Sequence, residues 1–518
     1  RYYYVFVLLL LTLIFFNSIL SSTNVLDNIH YINDMTFQSE NVLKSIQGGK
    51  IFPLWTPFFY SGQTFIGVPE FYLFDLNFLF IWIFKNIFLA MNLSILGYFF
   101  LSGLGMYLLI NEIKGKGYAS ILGSVVYMFN GFMHKFILKG HLNILESYAL
   151  IPFVFLFTYR AIHSKHWLLN SLLAALFFSM MIHAGGIIFF LYTGLIIGLY
   201  LAWSVIGRRL TSKIVKNILI SIVIIIFLVG LSAIKLFPVM DFTKISSRSG
   251  GVNFQEFLGE PIKLSGVWSS LIHVSSKVPF SGAIGISSLV LLLFGLLSFR
   301  KKSVLFFLFL IILSLLMATG SFVAKIFFHI PGFGQMRHIE RAIVLFIFSS
   351  PIIISYGYSN FVRLFKNKVA NIKEIILFGV VFLIILMELF IFQPFPKGYE
   401  VTKPLDIPIL NEINKDEGEF RIATYALSTP IGASGYNYYS QLGIPEIKGG
   451  GGIWVNDYVR YVAIAQESAP SRLFGNLNGK YIVSDREIED EGLELKEEFE
   501  SCEDCPIWEV YGPFLYEN

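Results

Sequence analysis

The residues of this chain best placed to do chemistry are polar ones stranded beside long apolar runs. Arg337-His338-Ile339-Glu340-Arg341 follows the Pro331-Gly332 turn and leads into such a run. Arg337 and Arg341 are four apart and share a face if the segment is helical. Two guanidiniums at a membrane surface suit a phosphate, which Arg grips through paired N–H donors. The structural alternative is a pair of arginines snorkelling at a span end, with Glu340 as local partner. Asp34 is followed four residues later by Gln38. The spacing predicts an amphipathic helix over 35–46 with Asp34 at its start and Gln38 one turn on, on the same side. The alternative for Asp34 is a helix cap, because Asp is a preferred capping residue. Glu40 and Glu70 lie in the same long loop, and Arg248 lies in Ser246-Ser247-Arg248-Ser249-Gly250, which reads as a solvated turn. Gly140-His141 and Glu146 stand at another span end, where a lone His is more often structural than a ligand. Charges beside hydrocarbon are costly and tend to be functional.

The composition says what must position these groups. Of 518 residues, 55% are hydrophobic and 14% charged, and the mean hydropathy is +0.66. Soluble domains carry roughly 25% charged residues, so an ordinary cytosolic enzyme is excluded. A disordered chain is excluded too, since that needs low hydrophobicity and high charge. The net charge of +4 gives nucleic acid little to bind, and it sums two unlike parts: +16 over residues 1–393 and −12 over 394–518. The reading is a polytopic helical membrane domain, 1–393, followed by an acidic water-soluble α/β domain, 394–518. The chain opens at Arg1 without a Met and stops at Asn518, which reads as a fragment of a longer protein.

Apolar runs able to cross roughly 30 Å of hydrocarbon fall at 2–20, 92–110, 118–134, 144–160, 167–183, 186–205, 217–237, 282–299, 303–322, 341–361 and 374–393, eleven in all. The stretch 71–88 is apolar but carries Asp75 and Lys85, and is expected to be interfacial or re-entrant. Alternate connections are basic: Lys114 and Lys116; Arg160 and Lys165; Arg208 to Lys216; Arg300 to Lys302; Arg363 to Lys373. The positive-inside rule puts these in the cytoplasm. The N-terminus is then inside the plasma membrane, while the long loop 21–91 and the 394–518 domain are outside. Asn17-Ser18 makes no small-residue cleavage site, so the first span is read as an uncleaved anchor.

The two cysteines, Cys502 and Cys505, lie in the outer domain, too few for a four-ligand zinc site. A small-loop disulfide or free thiols remain, the oxidising exterior favouring the disulfide. Expected elements there are helices over 405–415 and 457–466 and strands over 419–425, 480–484 and 507–511. Gly449 to Gly452 reads as a hinge or a close backbone approach; the strand and the Lys-Ser/Thr that a phosphate-cradling loop needs are missing. Asp34 with Glu40 is too thin a set to define a metal site, and no cofactor is assigned.

These residues resemble a known family, the YfhO-like membrane proteins of the GT-C glycosyltransferase group. The resemblance runs over nearly the whole chain. It is carried by Asp34 and Gln38, Gly49 before Pro53-Leu54-Trp55, then Pro57, Gly62 and Pro69. Further on it includes Gly140-His141-Leu142, Pro238, Ser247-Arg248, Pro331-Gly332-Phe333 with Arg337 and Arg341, and Tyr481-Ile482-Val483-Ser484. Thr56 and Glu70 depart from the Asn and Gln usual at those places. The resemblance implies an inverting enzyme that moves a sugar from a polyprenyl-phosphate carrier to an envelope glycan, lipid or protein on the outer face. Asp34 would take the acceptor's proton, and Arg337 with Arg341 would stabilise the departing lipid phosphate. The substrate-binding set implied is Gln38, Glu40, Glu70, His141, Arg248, Arg337, His338 and Arg341.

Two other classes compete. A lipid or polysaccharide transporter or flippase would show mid-span charges and paired broken helices; the spans are mostly clean, with Lys235 and Glu388 near ends. A non-catalytic envelope scaffold would show no transfer chemistry. Delivery of labelled sugar from a polyprenyl-phosphate donor separates the three.

Overall fold

The computed structural model describes residues 2–20, 24–26, 29–115, 117–138, 141–206, 211–272, 282–366, 374–392, 398–400, 408–425, 443–449, 453–484, 486–498 and 514–518. Helix α1 (Tyr2–Phe15) leads into a long first loop. That loop carries β1 (Asn24–Leu26), α2 (Ile29–Gln47), the short antiparallel ladder of β2 (Trp55–Thr56) with β3 (Gln63–Thr64), and α3 (Leu76–Phe84). The membrane helices continue as α4 (Ile87–Lys114), α5 (Tyr118–Met128), α6 (Gly131–Leu138), α7 (Leu142–His163), α8 (Trp167–His183), α9 (Ile187–Val205) and α10 (Thr211–Ile245). Then come the short α11 (Phe254–Leu258) and α12 (Val267–Ile272), followed by α13 (Ile286–Leu296), α14 (Lys302–Ala318), α15 (Phe322–Phe328), α16 (Ile343–Lys366) and α17 (Glu374–Phe392).

Every apolar run named from sequence is helical, but not every one is a long straight helix. Among the described residues six helices are long and apolar enough to cross a membrane: α4, α7, α9, α10, α16 with the turn before it, and α17. α14 and α15 make a seventh if the 87° bend between them belongs to one span, and α1, α8 and α13 are apolar but shorter. The interruptions have local causes. The run 118–134 breaks because the Asn130 side chain accepts from the amides of Phe132 and Met133, both at 3.1 Å, and so starts a new helix. The run 303–322 ends at Gly320, whose φ is +67°, and Ser321 caps α15 through the amide of Val323 at 3.3 Å. The stretch 71–88 forms α3, nine residues or about 14 Å of helix, with Asp75 accepting from the Phe78 amide at 2.7 Å as its cap.

The helices meet through small residues and buried aromatics. Tyr127 and Tyr148 stack at 4.3 Å and exchange hydroxyl-to-carbonyl bonds of 2.9 and 2.7 Å, which ties α5 to α7. At the crossing of α13 and α16 a Cβ on Gly357 would lie 1.7 Å from the Leu291 carbonyl oxygen, and one on Gly295 would lie 2.4 Å from that of Ile353. Small residues let membrane helices approach backbone to backbone. Gly357→Ala should therefore cost about 1–3 kcal/mol, the range for overpacking, read as a lowered thermal midpoint in nanodiscs. An unchanged midpoint would show that the crossing yields freely.

After α17, β4 (Gly398–Glu400) pairs antiparallel with β1, so the chain leaving the last helix is tied to the chain leaving the first. α18 (Pro408–Ile413) precedes a four-stranded sheet of order β5-β6-β8-β7, built from β5 (Arg421–Tyr425), β6 (Gly479–Ser484), β7 (Glu494–Glu498) and β8 (Phe514–Glu517). β5 and β6 are parallel; β8 runs antiparallel to both β6 and β7. Ala423, Ile447, Val462, Phe474, Ile482 and Tyr516 form the core under the helix Asn456–Ser468. β7 (Glu-Leu-Lys-Glu-Glu) is exposed along its whole length, which is why no apolar alternation marks it in the sequence. The expected strand at 507–511 and both cysteines, Cys502 and Cys505, lie outside the described residues.

This sheet domain sits on the loops that carry the candidate site. The Tyr60 and Ser61 amides donate to the Lys448 and Glu446 carbonyls at 3.3 and 3.1 Å, and the Tyr458 hydroxyl donates to Ser61 Oγ at 2.7 Å. The Ser247 amide donates to the Trp454 carbonyl at 2.8 Å, and the Asn456 amide group to the Ser246 carbonyl at 3.0 Å.

Candidate functional site

The residues singled out in the sequence converge on one cleft of about 770 Å3. It lies between the first loop, the α8–α9 turn, the end of α10 and the turn before α16. Gln38, Glu70, His141, Arg248, Arg337, His338 and Arg341 all line it. Its other wall is apolar, built from Ile182 of α8, Ile187 to Leu191 of α9, and Leu236, Val239 and Met240 of α10. Ile453, from the segment leading into the sheet domain's helix, also lines it.

Each polar residue is held by a local device. Gln38 Oε1 accepts from the Tyr72 amide at 3.3 Å. The next residue, Ser39, meets Tyr72 Oη at 2.6 Å, and Asn77 donates to both oxygens at 2.9 and 2.7 Å. This buried triad fixes α2 to the return of the first loop. Glu70 sits on that return. Its carbonyl accepts from the Asn143 side chain at 3.4 Å and packs so closely on Gly185 that a Cβ there would lie 2.5 Å away. Gly185 has φ +78°, so this turn requires glycine twice over. His141 occupies the cap position of α7, its ring 5.9 Å from that of Phe136.

The arginines come from two directions. Arg248 lies in a turn closed by the Gly251 amide donating to its carbonyl at 3.0 Å, while Val252 donates to Gly334 at 3.1 Å. That second bond joins the Arg248 turn to the turn carrying Arg337. Burial lowers the pKa of the Arg248 guanidinium, and the neighbouring Arg337 lowers it further, with Glu70 and Glu256 opposing. Arg337 and Arg341 are not on one helix face as expected, because helical structure begins only at Ile339. They meet at the cleft because His338 takes a left-handed conformation, φ +68°, which is costly for a non-glycine residue. His338 Nδ1 and Glu340 Oε1, 2.8 Å apart, hold that turn. Arg341 is half-buried with its guanidinium 6.0 Å from the Phe136 ring, whereas Arg337 is exposed.

Two expected members stand differently. Glu40 does not line the cleft. It follows Gln38 by two residues, about 200° around a helix, and so lies on the other side of α2, where burial raises its carboxyl pKa against the pull of Lys44. Asp34 is not a helix cap: α2 begins at Ile29, five residues earlier, and Asp34 lies inside it one turn before Gln38. Its side chain is outside the described residues. Among the described residues no group of three or more His, Cys, Asp or Glu is placed to hold a metal ion.

Sequence reasoning noted Asp75, Glu146 and Lys235 one by one and did not bring them together. All three are buried, Lys235 completely, and the two carboxylates act on the Lys235 ammonium electrostatically. The Lys235 ammonium donates to the Phe71 carbonyl and, at 3.3 Å, to that of His183. A lysine inside an apolar run is itself a signal, but its partners are 164 and 52 residues away in sequence.

The cleft thus sets a cationic rim against an apolar wall. Several solved structures share the fold. A mycobacterial arabinofuranosyltransferase, AftD, superposes with TM-score 0.60 at 13% identity, over 100% of this chain and 40% of its own. An Archaeoglobus fulgidus oligosaccharyltransferase, in complex with Zn and sulfate, gives 0.55 at 14%, over 93% and 68%. The oligosaccharyltransferase AglB of the same organism, with an inhibitory peptide and a dolichol-phosphate, gives 0.51 at 12%, over 93% and 69%. The fold is thus a GT-C-like polytopic helical membrane fold with a small C-terminal sheet domain. The chain belongs to the family described as the 6-pyruvoyl-tetrahydropterin synthase related domain, a family of membrane proteins, matched over residues 71–393. It spans about 40% of the length of the arabinofuranosyltransferase. No curated protein matches it.

Proposed function

We propose that this chain is a membrane glycosyltransferase of the GT-C type. In this reading it takes a sugar from a polyprenyl-phosphate carrier at the outer face and passes it, with inversion, to an acceptor of the cell envelope. The observation that carries the proposal is the cleft itself: Arg248, Arg337 and Arg341 on its polar side, and the α9 and α10 side chains on its apolar side. An isoprenoid chain must stay in an apolar environment, which leaves its phosphate at the guanidiniums. The fold shared with AglB, solved with a dolichol-phosphate, supports the same class of donor, and the ordered motifs of the first loop support a YfhO-like member of the group.

In this reading Asp34 on α2 removes the acceptor's proton, Gln38, Glu70 and His141 orient the sugars, and the arginines stabilise the leaving phosphate. His338 shapes the turn that delivers Arg341. The plasma-membrane topology that goes with it has the N-terminus inside and 394–518 outside. A Cys label at Lys368 should then resist an impermeant reagent in intact cells while one at Ser428 reacts, and reversed labelling would end the outer-face reading. The direct test is transfer of labelled sugar from a polyprenyl-phosphate donor in vesicles holding the purified chain. Movement of the lipid-linked sugar across the bilayer without transfer would replace this reading with a flippase.

A further inference from the structure

Lys235 is fully buried within α10, and an ammonium in such surroundings is expensive unless its charge is answered. Here it is answered twice. The ammonium bonds to the carbonyls of Phe71 and His183, and the carboxylates of Glu146 and Asp75 act on it electrostatically. The two carbonyls belong to segments far apart in the sequence. Phe71 follows Glu70 on the first-loop return, and His183 ends α8, two residues before Gly185. The same two segments are joined by the Leu73 amide donating to the His183 carbonyl at 2.7 Å. His183 Nε2 in turn reaches the Leu231 carbonyl of α10 at 3.1 Å.

We infer that Lys235 is a positioning residue: its ammonium, bonded to the Phe71 and His183 carbonyls, pins the first-loop return against the end of α8 and so holds Glu70 in the cleft wall. The first-loop return has no regular structure of its own to hold it, since residues 69–73 form turns and bends without strand or helix, whereas His183 stands on the last turn of α8. The pinned return also carries Tyr72, whose amide fixes Gln38, so release at Lys235 would reach α2. The link to ligand binding rests on reading the cleft as a polyprenyl-phosphate site; the pinning does not.

The test uses the full chain in nanodiscs. Lys235→Met alone would leave two buried carboxylates unbalanced, so it is made together with Glu146→Gln, and Glu146→Gln alone serves as the reference that keeps the staple. Hydrogen exchange at Phe71–Leu73 should quicken about tenfold in the double variant, with exchange in α4 and α16 unchanged and the reference like the parent. Binding of geranylgeranyl phosphate should weaken about tenfold if the competent arrangement falls to about a tenth of the population. A double variant with a parental melting point, parental exchange at 71–73 and parental probe affinity would overturn the proposal. Faster exchange with parental probe affinity would overturn the positioning role as well. An unfolded double variant beside a folded reference would make Lys235 a general determinant of the fold, and would also overturn it. If the parent itself does not bind the probe, the donor reading fails, and the exchange arm alone decides the pinning.

Discussion

Replacing Asp34 by Asn should lower the rate of sugar transfer roughly 100-fold or more, the range lost when a general base is removed. Thermal stability should stay within about 0.5 kcal/mol of the parent. Asn matches Asp in shape and closely in helix propensity, so the change removes little but the charge and the ability to accept a proton. The fold sharpens this expectation. Asp34 lies inside α2, which starts at Ile29, so there is no capping contribution for Asn to preserve or lose. Position 34 stands one turn before Gln38, and Gln38 lines the cleft and is fixed by the Tyr72 amide. Single-turnover transfer of labelled sugar, alongside a thermal midpoint, decides the matter. Parental turnover in the Asn variant would remove the base role from Asp34. A fall in turnover together with a fall in midpoint would trace the effect to α2 rather than to proton transfer.

Why Asp34 could be noticed in the sequence while its helix was misjudged is a matter of range. A carboxylate four residues before an amide in a loop too long for a linker is a local pattern. The start of α2 is ambiguous locally, because Asp27-Asn28 before Ile29 and Asn33-Asp34 before Met35 offer the same capping residue types, and what ties the helix to the fold is the distant triad of Ser39, Tyr72 and Asn77. The spans were legible for the same local reason: length and apolarity are properties of a run. Their breaks were less so, since one side chain, Asn130, decides whether 118–134 is one helix or two. In the sheet domain β6 carries an apolar Tyr-Ile-Val run and is buried along nearly its whole length, whereas β7 buries none and is held by pairing with β8, which no single-strand pattern announces. The arginines illustrate the limit from the other side. Arg337 and Arg341 line one cleft, but not through the helical spacing that links them in the sequence, which the left-handed His338 does not allow. Arg248 read as solvated because its neighbours, the Gly334 turn and Trp454, are far along the chain.

That geometry divides the arginines by what Lys could replace. Arg341 is half-buried beside Phe136, on a turn held by His338 and Glu340, so its guanidinium has a fixed direction. A fixed guanidinium can offer a phosphate two parallel bonds, and Lys cannot reproduce them. Hydrogen bonds to charged groups contribute roughly 1.5–3 kcal/mol, so Arg341→Lys should weaken donor binding about tenfold to a hundredfold although the charge is kept. Arg337 is exposed, and water and salt screen what it contributes. Arg337→Lys should weaken binding only about threefold or less, and that small effect should fade as ionic strength rises. Glu340 does not reverse this order. Its carboxylate bonds to His338 and also acts on Arg341, so it tempers the charge of Arg341 while holding it in place. Charge alone would then make Arg337 the stronger phosphate ligand; fixed direction makes it Arg341. Donor affinity and single-turnover rate for the two Lys variants, at low and at high salt in nanodiscs, separate the two accounts. A larger loss at Arg337 that salt abolishes would mean the cleft gathers anions by charge and has no shaped phosphate site. Parental values for both variants would leave the pair as anchors at the membrane surface.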